Sequence, residues 1–127
     1  MHAADTNVLV RIFSREDDRQ ALAASAFVEK SVWISHLVLA ETLWVLQRKY
    51  RFDSSEIARI VEVLLNHATV TMQEPDVVAA ALDLYRSNAK IGFSDCLVLE
   101  IARKAGHLPL GTFDRDLSKL DGAQRLL

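Results

Sequence analysis

The chain has 127 residues, a mass of 14.2 kDa and a formal net charge of −2. This length suits a single domain over residues 1–127, and no second domain is needed to explain it. Half of the residues are apolar and a quarter are charged, which is typical of compact, helix-rich proteins and excludes a largely disordered chain. The small net charge gives no sign of nucleic-acid binding, although charges of one sign can still gather on one face.

The sequence favours a cytoplasmic protein without membrane association. Asp5 falls where a signal peptide would carry its basic and apolar regions, and no apolar run approaches the roughly 18 residues of a membrane span. The single cysteine, Cys96, has no partner for an internal disulfide and lies in an apolar run. We expect a small buried hydrophobe there, in a reducing compartment, rather than a nucleophile.

Short strand patterns alternate with helical ones along the whole chain. The first predicted elements are a strand at 1–5, helices at 7–13 and from 16–18 to about 30, and a strand at 32–34. A helix at 37–46 capped by Ser35 or His36 follows, then a helix from Asp53 or Ser54 to about 66 and a strand at 68–72. The last elements are a helix at 75–87, a helix entered by loop 91–96 and running to 106, and strands at 108–112 and near 125–127. This alternation predicts a three-layer α/β domain with a mainly parallel sheet. The apolar stripe from Ile57 to Leu65 is expected in the core more than in an interface.

Four acids stand at positions where a carboxylate needs an explanation. Asp5 and Asp114 each follow a predicted strand, so a parallel sheet would carry both to its carboxyl edge. Glu41 lies within the apolar helix at 37–46, and Asp95 in the first turn of another apolar helix, and neither has a cation at the neighbouring helical positions. A buried carboxylate without a local partner needs a proton, a distant cation or a metal. Taken together, the four acids predict a site for a divalent metal.

The residue types favour Mg²⁺, or Mn²⁺, over zinc. These hard cations prefer oxygen ligands, whereas zinc would require His or Cys at ligand spacing, which the four histidines do not show. One or two such ions can activate water and stabilise the leaving oxygen of a phosphodiester, as in two-metal nucleases.

Four segments of the chain form a set of motifs: Asp5-Thr6-Asn7, Glu41 in its apolar helix, Ser94-Asp95 and the segment from Thr112 to Leu117. Together they resemble the PIN-domain ribonucleases, and most closely the VapC-like toxins of bacterial toxin-antitoxin systems. The resemblance covers essentially the whole chain. It implies a PIN-like sheet of five parallel strands in the order 3-2-1-4-5, magnesium-dependent cleavage of RNA, homodimers, and inhibition by a cognate antitoxin.

The resemblance also implies roles for individual residues. Asp5, Glu41, Asp95 and Asp114 fall on the acidic quartet that is both catalytic and metal-binding. Thr112 falls on a hydroxyl position that helps to order the site. The remaining supporting positions are Thr6, Asn7, Ser94 and Asp116. Ala3 and Ala4 replace the branched residues usual in the first strand, which leaves the length of that strand open.

Structural interpretations compete with these roles. Asp5, Asp95 and Asp114 could cap helices, Glu41 could form a buried ion pair, and Asp116 could serve the helix dipole. Four basic residues are candidate RNA contacts, although for the first three a solvated helix end with an aromatic residue beneath it is slightly favoured. These candidates are Arg48, Lys49, Arg51 and Arg115.

Two other functions remain as alternatives. A catalytically silent PIN-like RNA-binding or scaffold protein would be expected to lack one of the acids, and all four are present. A phosphoaspartate receiver or phosphatase is disfavoured, because a second Asp two positions after Asp5 and a lysine after the last strand are both missing. The sequence does not identify the RNA, the antitoxin or the resting number of metal ions. Nor does it say whether dimer contacts use the helix containing Ile57 to Leu65.

Overall fold

The computed structural model describes residues 1–88 and 90–127, which form two compact units, Met1–Pro75 and Asp76–Leu127. The elements of the first unit are β1 (His2–Ala3), α1 (Thr6–Ser14), α2 (Asp18–Glu29), β2 (Val32–Ile34), α3 (His36–Arg48), α4 (Ser54–Asn66) and β3 (Val70–Met72). Those of the second unit are α5 (Pro75–Ser87), whose first residue is the last of the first unit, α6 (Phe93–Ala105), β4 (Leu110–Thr112), a 3-10 turn (Leu117–Lys119) and β5 (Ala123–Arg125).

The first unit contains a parallel sheet in the order β1-β2-β3. Ala3 lies opposite Trp33, and Trp33 lies opposite Thr71. The N–H of Ala4 donates to the Trp33 carbonyl at 3.2 Å, so backbone pairing extends to the residue directly before Asp5. The carboxyl end of β1 therefore delivers Asp5 to the edge of this sheet.

The helices of the first unit begin where polar side chains accept backbone N–H groups. Asp5, Asp17, Ser35 and Asp53 each accept a hydrogen bond from the N–H three residues further on. At the start of α4 the contact is reciprocal, because Glu56 also accepts the N–H of Asp53 and completes a capping box. These caps explain why strands lead into helices with short connections, which is how the chain places side chains at the sheet edge.

Buried aliphatic side chains form the core of the first unit. The residues Ile57, Ile60, Val61 and Leu64 of α4 are all buried, which confirms the predicted apolar stripe as core. Leu39, Leu43 and Leu46 form the buried side of α3.

In the second unit, β4 and β5 pair in parallel, with Leu110 opposite Ala123 and Thr112 opposite Arg125. The rings of Tyr85 and Phe93 meet edge to face at 5.7 Å between centroids, which joins α5 to the start of α6. Cys96 is fully buried, and burial raises the pKa of its thiol to about 11. The thiol is therefore a core group and not a nucleophile, as expected.

The α/β class and the parallel strands are confirmed. The strand order 3-2-1 and the 4-5 pairing are each present, in a sheet of three strands and a sheet of two; one continuous five-stranded sheet stays a prediction. The last strand was expected near 125–127 and lies instead at Ala123–Arg125. Gly122, whose φ of +91° suits glycine, turns the chain, and its carbonyl accepts the Leu110 N–H at 2.8 Å, so pairing with β4 begins earlier than expected.

Across residues 1–88 and 90–127, no helix combines the length and apolarity that a membrane crossing requires.

Candidate metal centre

Asp5 serves both as a strand-end acid and as a helix cap. It follows β1 directly, and its Oδ1 accepts the Val8 N–H at 3.1 Å. The side chain is exposed. The hydrogen bond fixes the orientation of the carboxylate, and among the described residues its second oxygen accepts no bond, so that oxygen is available to a ligand. The predicted position at the carboxyl edge of the sheet agrees with the described strands.

Glu41 is linked to the segment after Asp5 by a hydroxyl. Thr6 Oγ1 donates to Glu41 Oε2 at 3.3 Å, which joins α1 to α3. The expectation that Glu41 is buried is wrong: it is exposed, on the same side of α3 as Leu37 and Trp44, which are 68% and 59% exposed. The helix has apolar residues on more than one side. The side that packs into the core carries Leu39, Leu43 and Leu46, and Glu41 lies on another side.

Asp95 is held in an unfavourable setting within the second unit. It lies in the first turn of α6, whose N-cap is Gly92, and no side chain caps this helix. Partial burial raises the pKa of the Asp95 carboxyl, and the negative charge of Asp114 raises it further. Helix capping therefore does not account for Asp95.

The backbone around Asp114 is ordered by Thr112. The Asp114 N–H donates to Thr112 Oγ1 at 3.0 Å, and Asp114 Oδ1 accepts the Leu117 N–H at 2.9 Å. These two bonds form a compact loop between β4 and the 3-10 turn. Thr112 thus orients the segment that carries Asp114, in line with its predicted supporting position.

Three other predicted supporting residues make no hydrogen bond, within the described part of the chain, to the acids of their own unit. Asn7 is exposed on α1, Ser94 is exposed in the first turn of α6, and Asp116 is half-buried before the 3-10 turn. In the described parts of the chain, none of the three makes a hydrogen bond to an acid of its own unit. Their supporting roles stay predictions.

Each unit thus contributes two of the predicted acids. Asp5 and Glu41 are connected through Thr6 in the first, and Asp95 and Asp114 interact electrostatically in the second. Among the residues that the structure describes, no group of three or more His, Cys, Asp or Glu side chains is arranged to hold a metal ion. The donor set of carboxylates and hydroxyls fits Mg²⁺ or Mn²⁺ and does not fit zinc. The four-carboxylate centre remains a prediction.

The basic residues predicted to contact RNA lie at surfaces. The Arg48 guanidinium lies 5.5 Å from the Trp44 ring centre, and the Lys49 ammonium 5.4 Å from that of Tyr50. The Tyr50 hydroxyl donates to Glu16. This matches a solvated helix end with an aromatic beside it. Arg51 and Arg115 are exposed.

A groove between α1 and α2 was missed by the sequence reasoning. It has a volume of about 420 Å³ and is lined by Asp5 together with side chains of both helices, including Arg11, Gln20 and Phe27. No motif marks these residues. The available signal is the pair of small residues Ala23 and Ala24, which leaves space on the side of α2 that faces α1.

The fold and the acid motifs define a class of protein that comparison with known families identifies. A family model described as "PIN domain" matches residues 3–123, so the chain belongs to the PIN domain family. Among curated proteins, it is similar to a protein named VapC ribonuclease from Aquifex aeolicus strain VF5. The two are 27% identical over 125 residues, covering 94% of this chain and 92% of that protein. The predicted resemblance is confirmed.

Proposed function

We propose that the protein is a metal-dependent endoribonuclease that hydrolyses phosphodiester bonds in RNA and acts as the toxin of a toxin-antitoxin pair. The observation that carries the proposal is the Asp95–Asp114 pair. Asp95 lies at the surface, yet partial desolvation and the negative charge of Asp114 raise its pKa, which costs stability once the carboxyl is ionised. An acid kept under such conditions is typical of a functional site. Membership of the PIN family and the similarity to a VapC ribonuclease support the reaction class.

We propose that Asp5, Glu41, Asp95 and Asp114 hold Mg²⁺ or Mn²⁺, as one ion or two. Such a cation supplies an activated water and stabilises the leaving oxygen of the phosphodiester. The chain's own contribution is orientation. The Val8 N–H fixes one oxygen of Asp5, the Thr6 hydroxyl restrains Glu41, and Thr112 orders the backbone of Asp114.

The partners follow from the same proposal. RNA is the substrate, with Arg48, Lys49, Arg51 and Arg115 as candidate phosphate contacts. A cognate antitoxin and a second copy of the chain are the proposed protein partners. We propose a cytoplasmic location because the proposed substrate is found there.

The decisive experiment measures cleavage of a mixed-sequence RNA by purified protein with Mg²⁺ and with EDTA. Asp5→Asn and Asp95→Asn each remove a charge from the proposed centre, and Asn caps a helix about as well as Asp. We expect each variant to lose more than about 100-fold in rate, because removing even an indirect support of a metal ligand costs about 10- to 100-fold.

The matched control is Asp83→Asn, which makes the same chemical change at an exposed acid of α5 that belongs to none of the acid motifs. It should cleave at the wild-type rate. Full cleavage by both site variants, with folding unchanged, would sink the assignment. RNA binding without cleavage by the wild type would instead favour the silent scaffold.

A further inference from the structure

The α1–α2 groove lies directly beside Asp5. Its volume of about 420 Å³ falls in the range of about 300–1,000 Å³ that is typical of small-ligand pockets. Val8 and Phe27, both half-buried, and the buried Ala24 give it apolar walls. Asn7, Arg11 and Gln20 add polar groups. The groove therefore combines an apolar surface with a few hydrogen-bonding side chains.

Small side chains on α2 create the space. Ala23 and Ala24 occupy consecutive positions, and the first is exposed while the second is buried. Across the groove, Arg11 Nε donates to Gln20 Oε1, which connects α1 to α2. The terminal nitrogens of Arg11 and the amide nitrogen of Gln20 take no part in this contact and can donate hydrogen bonds to a ligand.

We propose that the α1–α2 groove binds one nucleobase of the RNA strand, next to the phosphate that is cleaved, and so sets the base preference of the enzyme. The inference rests on the proposed function. The ring of Phe27 already lies 5.6 Å from the His2 ring between centroids, and its remaining face and the aliphatic walls offer a surface on which an unpaired base can stack. Asn, Gln and Arg are side chains that read base edges through paired hydrogen bonds.

A base suits the groove better than a protein segment does. A nucleobase is uncharged and is not repelled by Asp5, whereas its attached phosphate would be directed towards the acids and their cation. The lining of α2 runs over about two turns, from Gln20 to Phe27, so a short helical segment is the rival occupant that the test has to exclude.

The binding test uses the full chain in EDTA, with adenosine, cytidine, guanosine and uridine as separate probes. We expect one nucleoside to shift the amide NMR signals of Ala23 and Phe27 in a saturable manner. Ala23→Leu fills the groove and should weaken this binding about tenfold or more, a loss comparable to that of one stacked base. Ala26→Leu makes the same change at an exposed position of α2 outside the groove and should leave binding unchanged.

Phe27→Leu provides a second variant, because it keeps an apolar side chain but removes the flat ring. Thermal unfolding checks that each variant is folded. If no nucleoside shifts the groove signals, or if neither groove variant weakens binding, the proposal is overturned and a protein segment becomes the better occupant.

Cleavage of an RNA with randomised positions separates this inference from the proposed function. The wild type should prefer one base beside the cut, and Ala23→Leu should flatten that preference while cleavage stays magnesium-dependent. An unchanged preference in Ala23→Leu would refute the groove and leave the nuclease assignment intact. Nucleoside binding in the groove of a wild-type protein that cleaves no RNA would refute the nuclease and leave the groove as a base-binding site.

Discussion

The predicted acids differ in whether the backbone stabilises their negative charge. Asp5 and Asp114 each accept a backbone N–H, from Val8 and Leu117, so their charges stabilise local structure. Asp95 has no such bond among the described residues, and burial and the Asp114 charge oppose its ionisation. The acid with the clearest cost to the fold is therefore Asp95.

This cost predicts a pH-dependent effect of Asp95→Asn on metal-free protein. The folded-state pKa of Asp95 is raised above its ordinary value of 3.8, so folding favours the protonated carboxyl. The stability this provides is present below pH 3.8 and is lost as pH rises through the raised pKa. We expect Asp95→Asn to unfold at a higher temperature than the wild type at pH 7 and at a similar temperature near pH 3.5. Thermal scans in EDTA across this range measure the difference; a gap that does not grow with pH would contradict the prediction.

A second prediction concerns the hydroxyl that touches Glu41. Thr6→Val keeps the shape of the side chain and removes the hydrogen bond to Glu41 Oε2. We expect RNA cleavage to fall about 10-fold or more, in the range observed for partners of metal ligands, with little change in unfolding temperature. Thr6→Ser retains a hydroxyl and should recover most of the rate. Equal rates for the Val and Ser variants would show that the hydroxyl has no part in the reaction.

The sequence predicted the position of Asp5 better than the surroundings of Glu41. A strand followed at once by a helix places the intervening acid at a sheet edge, whatever the packing elsewhere. Glu41 lies in a helix with apolar residues on several sides, and periodicity alone does not show which side is packed. The groove residues of α2 gave only a weak signal, the pair Ala23 and Ala24, because alanine suits any helical surface.

At the scale of elements, the boundaries that matched best are those with chemical markers. The strand Val32–Ile34 and the helix Pro75–Ser87 have their predicted bounds, and branched residues and a proline mark them. The strand Ala123–Arg125 has neither type of marker, and its position depends on pairing with Leu110–Thr112. Long-range pairing of this kind cannot be read from local sequence.

The capping box of α4 gives a prediction about stability. Asp53→Ala removes the acceptor for the Glu56 N–H and leaves one donor at the helix start unsatisfied. We expect the free energy of unfolding to fall by about 1 kcal/mol, within the range of about 0.5–2 kcal/mol for lost caps. Urea denaturation measures this difference. Ser54→Ala, one residue further on, should change it by less than about 0.5 kcal/mol, and equal losses in the two variants would contradict the role of the cap.

At the scale of the molecule, the PIN family model runs through both compact units, from residue 3 to residue 123. We therefore propose that the chain works as one domain. The formal charge is −2, and neutralising four acids would leave −2 + 4 = +2 on the rest of the chain. A surface with this balance does not repel RNA, and any binding should weaken as salt increases.

The proposed metal site predicts that bound metal stabilises the whole protein against unfolding. Because the proposed site exists only in the folded chain, Mg²⁺ that binds there should raise the unfolding temperature with its concentration, and the rise should level off at saturation. We expect most of this rise to disappear in Asp95→Asn and to persist in Asp83→Asn. Scanning calorimetry over a magnesium titration provides the measurement, and an equal rise in both variants would place the cation elsewhere.

Asp5 and Asp114 accept backbone hydrogen bonds and Asp95, in the described part of the chain, does not, and this difference affects which acid is retained as such a chain evolves. Selection for a stable fold alone preserves Asp5 and Asp114, because each accepts a hydrogen bond at the start of a helix or turn. Asp95 accepts no such bond among the described residues, and desolvation and the Asp114 charge raise its pKa, so a stable fold alone gives it less support. In a lineage that no longer needs cleavage, Asp95 should be replaced first, while the strand-end acids remain. Asp95, more than Asp5, is the position at which to distinguish working relatives from silent ones.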